Sequence, residues 1–246
     1  MAHIQIHRDD IDLDEPTLVE GLPGLGLVGK IAADHLVDIY DMEYYAACHC
    51  DGLPEIAVYA EGDPTVRPPV RIYADADEDL LVLQSDAPVS PSGATEFAGC
   101  LVSWFDANDV TPLFLSGMAA EQDGEPPAVY GISTGDGASM LTDADIDHPS
   151  QAGAITGPTG ALIHEAQRTG LTGVGLVVEA DRQFPDPAAA RAVLQTAIGP
   201  LGDFEVDTEA LVEQADQIAE AKQRLADQLQ PSEDDSTSAR PLGMYQ

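Results

Sequence analysis

Apolar strand-like runs alternate with amphipathic helical segments along most of the chain, and this alternation constrains the fold more than any other feature. Near-continuous apolar strands are typical of parallel sheets, in which neighbouring strands are joined by crossover helices. We therefore predict an α/β fold, a three-layer sandwich with a mostly parallel central sheet and helices on both faces. The segments with this pattern are the strands 17–22, 111–116 and 173–178 and the helices 28–40, 95–107, 157–169 and 186–198.

Shorter strands are predicted beside this core. Their β-branched and aromatic residues are interrupted by glycine and proline, a pattern typical of hairpins that decorate a central sheet. These strands lie at 44–50, 56–59, 70–74 and 79–84. A separate strand is predicted at 128–133, within the region 117–150 that is rich in glycine, proline and acidic residues.

The chain divides into a core and an appendage. A length of 246 residues fits one α/β core domain, predicted at 1–206, followed by a C-terminal amphipathic helix at 207–230. That helix has apolar residues spaced alternately four and three apart, a heptad seam that either packs on its own domain or pairs with another subunit. Residues 231–246 are predicted to be a flexible acidic linker and docking tail. The seam residues are Leu211, Ala215, Ile218, Lys222, Leu225 and Leu229.

The charge balance excludes several classes of partner. The chain has 44 acidic and 10 basic residues and a formal net charge of −34, which would repel nucleic acid and anionic membranes. Self-repulsion would be screened in concentrated salt, because the Debye length falls from ~10 Å at 0.1 M to ~3 Å at 1 M. We therefore predict a halophilic protein. With no signal-peptide pattern and no apolar run of the ~20 residues that span a bilayer, we expect a cytoplasmic location.

A glycine-rich turn, residues 21–29, follows the first predicted strand. Its G-x-G-x-x-G spacing is that of a dinucleotide site, but the acidic residue that should contact the ribose, Asp51, does not clearly end the next strand. The turn also nearly matches a Walker A loop, yet Lys30 is followed by Ile31 where a hydroxyl must reach the magnesium. We favour a structural turn that lets the first helix pack closely on the sheet. Its glycines are Gly21, Gly24, Gly26 and Gly29.

No residue pattern points to catalysis. The six histidines lie in different contexts, without a G-x-S-x-G or H-E-x-x-H motif. Cys48, Cys50 and Cys100 lack the C-x-x-C spacing of zinc and redox sites. The acidic segment 75–79 lacks the glycine and closing glutamate of an EF-hand loop. We therefore expect no catalytic residue, no metal and no cofactor.

Several glycine and proline landmarks occur in an order that resembles a known family. The landmarks are residues 21–29, 31–33, 52–54, 69–73 and 80–85. Together they resemble the archaeal proteasome assembly chaperone family, of the haloarchaeal type, which is related to the second eukaryotic proteasome assembly chaperone. This resemblance implies a phosphorylase- or hydrolase-like core that has lost catalysis and that self-assembles into a homo-oligomer.

The last three residues, Met244, Tyr245 and Gln246, form a hydrophobic-Tyr-any terminus. The resemblance implies that such a terminus inserts between α subunits of the proteasome core particle. The carboxylate of Gln246 can pair with a lysine, while Tyr245 and Met244 supply apolar area.

We therefore hypothesise a non-enzymatic proteasome assembly chaperone or adaptor that binds the α-ring through this tail. The alternative is a nucleotide- or nucleoside-binding enzyme that uses the turn at 24–29. A third hypothesis is a scaffold whose tail contacts another protein.

Overall fold

The fold is built around one mixed sheet of eight strands. The structure, a computed structural model, describes residues 3–60, 62–120 and 126–213. Across the large sheet the strand order is β1-β3-β6-β7-β2-β8-β10-β9, and β4 and β5 form a separate two-stranded sheet. The strands are β1 (His3–Ile6), β2 (Thr17–Gly21), β3 (Glu43–His49), β4 (Val58–Ala60), β5 (Asp63–Arg67), β6 (Val70–Asp75), β7 (Leu80–Ser85), β8 (Thr111–Ala119), β9 (Val129–Thr134) and β10 (Gly173–Ala180).

Helices cover both faces of the large sheet. The helices are α1 (Val28–Ile39), α2 (Ala94–Ala107), α3 (Gly137–Asp143), α4 (Gly157–Thr169), α5 (Pro187–Val193) and α6 (Gly199–Gly202). Buried residues of α1, α3 and α5 belong to one hydrophobic cluster, and those of α2 and α4 belong to another. The predicted three-layer α/β sandwich is therefore confirmed. The predicted helix 186–198 is α5 continued by a π-helical turn, Leu194–Ile198.

The parallel pairing is concentrated in the centre of the sheet. Strands β7, β2, β8 and β10 are parallel to one another in that order. On one side β6, β3 and β1 continue the sheet with antiparallel pairs, and on the other side β9 is antiparallel to β10. The predicted parallel sheet thus describes the four central strands, while the sheet as a whole is mixed. Hydrophobic periodicity predicts where each strand lies. It does not predict whether the strand is parallel or antiparallel to its neighbours, because that depends on the connections between strands.

The near-continuous apolar character of the central strands follows from burial on both faces. In β2, Leu18 packs in the cluster under α2 and α4, whereas Val19 packs in the cluster under α1 and α5. Successive residues of a strand point to opposite faces, so a strand covered on both sides requires an apolar residue at nearly every position. Glu20, the next residue, breaks this rule and is fully buried.

The start of the predicted C-terminal helix packs on the core. Residues 209–213 are helical, and Leu211 is buried in the same cluster as α1 and α5. The first seam residue therefore contacts its own domain. The other seam residues, Ala215, Ile218, Lys222, Leu225 and Leu229, lie outside the described residues, so the division into core, helix and tail stays a prediction. Within the described ranges, no helix is both long enough and apolar enough to cross a membrane.

Candidate functional site

The glycine-rich turn adopts a tight conformation between β2 and α1. A 3-10 turn, Leu25–Leu27, directly precedes α1, and Gly26 has φ of +65°. This left-handed conformation favours glycine. The carbonyl of Gly26 accepts a hydrogen bond from the backbone N–H of Asp186 at 2.8 Å. A Cβ atom at Gly26 would also lie 3.0 Å from the Cβ of Ala180. The turn is thereby fixed against the end of β10 and the start of α5.

Two further glycines allow α1 to approach the sheet. A Cβ atom at Gly21 would lie 2.3 Å from the Cβ of Ala33 in α1 and 2.6 Å from the carbonyl oxygen of Leu83. A Cβ atom at Gly29 would lie 3.2 Å from the carbonyl oxygens of Glu20 and Leu22. Close packing therefore requires glycine at position 21, whereas at position 29 a Cβ atom would make tight contacts that a shift of a few tenths of an ångström would relieve.

Gly24, by contrast, has open space around it, with no atom within 4 Å of an added Cβ. Three of the four glycines in the motif thus have a packing or backbone role, which supports the structural interpretation.

The charges around the turn do not favour a phosphate. The carboxylate of Asp186 is buried and accepts hydrogen bonds from the backbone N–H groups of Asp181 at 2.8 Å and Ala189 at 3.0 Å. A carboxylate adjoining Gly26 would repel an anionic ligand in a region of low dielectric constant. This observation weighs against the alternative hypothesis of a nucleotide site.

Lys30, the residue that resembles a Walker A lysine, is paired with carboxylates. Its ammonium group lies 2.9 Å from Asp34 and 3.3 Å from Asp86. Asp86 also pairs with the buried guanidinium of Arg71 at 2.6 Å. Burial by itself would raise the pKa of Asp86, but the hydrogen bonds and charges of Arg71 and Lys30 outweigh burial and lower that pKa. The network holds α1 against β6 and β7, so Lys30 has a structural role at this position.

Glu20 is a buried carboxyl group that the sequence analysis did not single out. One carboxyl oxygen accepts the backbone N–H of Leu115 at 2.9 Å, and the other accepts the hydroxyl of Thr159, near the start of α4, at 2.9 Å. Burial raises the pKa of Glu20 to about 7, although these hydrogen bonds oppose that rise. A raised pKa is typical of general acids and bases. The side chain is fully enclosed, however, so it cannot contact a substrate in this conformation. A single acidic residue within an apolar strand is the sequence signal that could have identified it.

The cysteines form a cross-link that was not predicted. Cys50, just after β3, is disulfide-bonded to Cys100 in α2, which joins positions 50 residues apart. Cys48 is a buried free thiol, and burial raises its pKa. A buried thiol of this kind is unreactive. Among the residues that the structure describes, no group of three or more His, Cys, Asp or Glu side chains could hold a metal ion.

The histidines of the described chain have separate environments. His35 lies in α1 and its Nε2 atom is 2.6 Å from the backbone carbonyl oxygen of Asp207. His3 and His49 are cross-strand neighbours of β1 and β3, with ring centroids 5.3 Å apart. These contacts fix segments of the fold, and none of them joins a histidine to a serine or cysteine nucleophile.

Met244, Tyr245 and Gln246 lie outside the described residues, and their role stays a prediction. The described site therefore consists of the glycine-rich turn and the charged network beside it. The turn resembles a nucleotide-binding loop in sequence, but its residues contact other parts of the same chain.

Comparison with known proteins identifies the family. The PAC2 family matches residues 18–226, and the chain belongs to this family. One relative, an uncharacterized protein of Methanocaldococcus jannaschii, is 31% identical over 215 residues, which cover 85% of this chain and 82% of the relative. The resemblance stated from the glycine and proline landmarks is thereby confirmed.

Two solved structures of Pyrococcus furiosus are similar over nearly the whole chain. PbaA, described as an archaeal homolog of proteasome-assembly chaperone, has a TM-score of 0.77 and 26% identity, and the match covers 93% of this chain and 97% of PbaA. PbaB, described as an archaeal proteasome activator, has a TM-score of 0.75 and 25% identity, with 92% and 98% covered. These relatives connect the fold with proteasome assembly and activation.

Proposed function

We propose that this protein is a proteasome assembly chaperone or adaptor that binds α subunits of the core particle without catalysing a reaction. The observation that carries the proposal is the similarity to PbaA and PbaB along more than nine-tenths of the chain. PbaA is described as a homolog of proteasome-assembly chaperone and PbaB as a proteasome activator, and neither description is that of an enzyme. The enclosed Glu20 and the paired Lys30 support a non-enzymatic role.

The contact with the proteasome is proposed to be made by Met244, Tyr245 and Gln246. The carboxylate of Gln246 would pair with a lysine in a pocket between α subunits, and Tyr245 would bury its ring there and satisfy its hydroxyl group. Met244 would fill an adjacent apolar notch, since its unbranched side chain adapts to irregular spaces. The linker of acidic and small residues before this terminus would act as a tether.

One tail of three residues would bind weakly, so the proposal includes a homo-oligomer that presents several tails. Two or more tails that engage one ring can gain about 10²- to 10⁴-fold in apparent affinity, provided that the tethers span the sites. The seam of Leu211, Ala215, Ile218, Leu225 and Leu229 remains a proposed oligomerisation element. Because Leu211 is buried in its own core, only the part of the seam beyond it is available for this role.

The test is co-purification with α subunits in molar salt. We expect the intact chain to retain the α subunits, and we expect deletion of Met244–Gln246 or the single change Tyr245→Ala to abolish retention. The matched control is Leu242→Ala, which removes a similar apolar side chain from the same tail and should bind like the intact chain.

Each alternative result contradicts part of the proposal. Equal binding by the intact and deleted chains would transfer the contact from the tail to the folded core. Binding by neither chain would contradict the proteasome hypothesis, and would favour a scaffold with a different partner.

A further inference from the structure

The β3–β4 loop, residues 50–57, borders a cleft. β3 pairs with β6 as far as Ala47, and pairing of the same two chain segments resumes between β4 and β5 at Val58. Between these points residues 48–57 face residues 68–70, so the longer segment must bow away from the shorter one. A cleft of about 580 Å³ is lined by residues of both segments.

The β3–β4 loop is attached to α2 at two points. Cys50 forms the disulfide with Cys100 in α2. Gly52 packs against Gly93, the residue before α2, so closely that a Cβ atom at Gly52 would lie 2.3 Å from the carbonyl oxygen of Gly93. The first attachment is covalent and the second is a van der Waals contact, so the disulfide is the stronger restraint on the loop.

The backbone hydrogen bonds of the loop are local. The backbone nitrogen of Leu53 lies 3.4 Å from the carbonyl oxygen of Cys50, and that of Ile56 lies 3.0 Å from the carbonyl oxygen of Pro54. Residues 50–57 belong to no strand, so no ladder of hydrogen bonds joins them to the large sheet. Segments of this kind open locally at a lower free energy than the core of a protein.

The disulfide lies at the border between the core and solvent. Cys100 is partly buried on α2, and Cys50, which is 6% exposed, lines the cleft. An external thiol attacks a disulfide near solvent more readily than an enclosed one. Cys48 differs from this pair, because burial raises the pKa of its thiol and it therefore stays protonated. A protonated thiol does not attack a disulfide, so the exchange involves Cys50 and Cys100 alone.

The cytoplasmic location predicted from the sequence gives this bond a functional meaning. Cytoplasmic thiols keep most cysteines reduced, and the disulfides that form there are usually catalytic or redox-sensing. The sequence contains no pattern that points to catalysis. Redox sensing is therefore the role that fits a disulfide in this chain.

We propose that the Cys50–Cys100 bond is a reversible redox switch that holds the β3–β4 loop on α2 when oxidised and releases it when reduced. A thiolate of a dithiol reductant attacks Sγ of Cys100, the S–S bond breaks, and Cys50 leaves as a thiolate that takes up a proton. The second thiol of the reductant then attacks the mixed disulfide and releases Cys100. The reductant becomes a disulfide, and two electrons and two protons pass to the cysteine pair.

Release of the loop changes the surface of the cleft. Leu53 and Ile56 of the loop and Val66 of β5 contribute apolar side chains to its lining. In the oxidised protein the disulfide holds the two loop residues in a fixed position opposite Val66, whereas the reduced loop can move away from it. The switch therefore controls which apolar surface the cleft presents. It goes beyond the proposed function, since it requires no proteasome.

Thiol labelling of the full chain tests whether the bond is reversible in the folded protein. The chain is equilibrated in molar potassium chloride with mixtures of reduced and oxidised dithiothreitol, labelled with N-ethylmaleimide and analysed by mass spectrometry. We expect no label in the oxidised protein, two labels in the reduced protein, at Cys50 and Cys100, and no label again after reoxidation. Cys48 is the internal control, and should be labelled only after unfolding.

Hydrogen exchange tests whether the bond controls the loop. We expect reduction to speed exchange of the amides of residues 50–57 by about tenfold or more, while β2 and β8 stay unchanged. Cys100→Ser should exchange like the reduced protein in either buffer. The matched control is Cys48→Ala, which removes the third thiol and should respond to reduction as the wild type does.

Four results would overturn the proposal. Two labels in the protein before reduction would mean that the bond does not form, and labels that appear only after unfolding would mean a permanent structural cross-link. Faster exchange throughout the large sheet would show that the bond supports the whole fold, and unchanged exchange at 50–57 would show that it does not control the loop. Neither measurement contains proteasome subunits, so failure of the tail proposal would not change these results.

Discussion

The carboxyl group of Glu20 is enclosed by β2, β8 and the first turn of α4, and burial raises its pKa to about 7. In the unfolded chain a glutamate has a pKa of about 4.3. Between these two values the folded protein retains a proton that the unfolded chain has lost. The free energy of unfolding therefore falls as the pH rises through this window, and is constant above it. The loss at neutral pH and above is about 4 kcal/mol at most.

Replacement of this carboxyl group by an amide tests the argument. Glu20→Gln removes the ionisation but retains an oxygen that can accept the N–H of Leu115. At pH 8 we expect the variant to be more stable than the wild type by about 1–3 kcal/mol, and at pH 4 we expect equal stability. Urea unfolding followed by circular dichroism at both pH values measures the difference. Glu96→Gln, an exposed change on α2, controls for the removal of one charge, and parallel pH profiles for Glu20→Gln and wild type would refute the assignment.

At the scale of elements, the contact of α1 with β2 depends on the absence of a side chain at Gly21. An alanine there would place its Cβ 2.3 Å from the Cβ of Ala33 and 2.6 Å from the carbonyl oxygen of Leu83, and neither backbone can move without disturbing the sheet. We expect Gly21→Ala to lower the free energy of unfolding by about 1–3 kcal/mol, the usual range for overpacking.

Gly24→Ala in the same turn is the matched control. It has open space and an extended backbone, so we expect a change within about 1 kcal/mol, in the stabilising direction. Chemical denaturation of both variants measures the contrast, and equal effects would mean that the turn is not packed as described.

The helices and strands also show which parts of the fold can be predicted from local sequence patterns. The helices α1, α2 and α4 and the strands β2, β8 and β10 were predicted within a few residues, because their periodicity is a local property of buried strands and amphipathic helices. Short β1 was not predicted, since its strand character depends on pairing with β3, over 40 residues later. The Cys50–Cys100 bond and the contact of Glu20 with Thr159 likewise join distant positions. The turn at 21–29 was correctly placed, but only its packing partners show which glycines are required.

At the scale of the whole molecule, the charge imbalance is not offset by the few basic residues. Lys30 and Arg71 are paired with Asp34 and Asp86 in the network beside α1, and Arg168 pairs with Glu165 on α4. These cations are therefore already used in local pairs, and most of the 44 acidic side chains repel one another at the surface. Such repulsion is felt by the folded state more than by the expanded unfolded chain.

Salt should therefore stabilise the fold by screening. We expect the melting temperature to rise steeply as potassium chloride increases from 0.1 M to 1 M, because the Debye length shortens from ~10 Å to ~3 Å. In dilute buffer, mild acidification should reproduce part of this gain, since it protonates carboxylates without adding salt. A neutral excluded osmolyte such as sucrose, which strengthens burial but does not screen charge, separates the two causes. If sucrose raised the melting temperature as much as salt while acidification did not raise it, repulsion among carboxylates would not be what limits the stability of this chain.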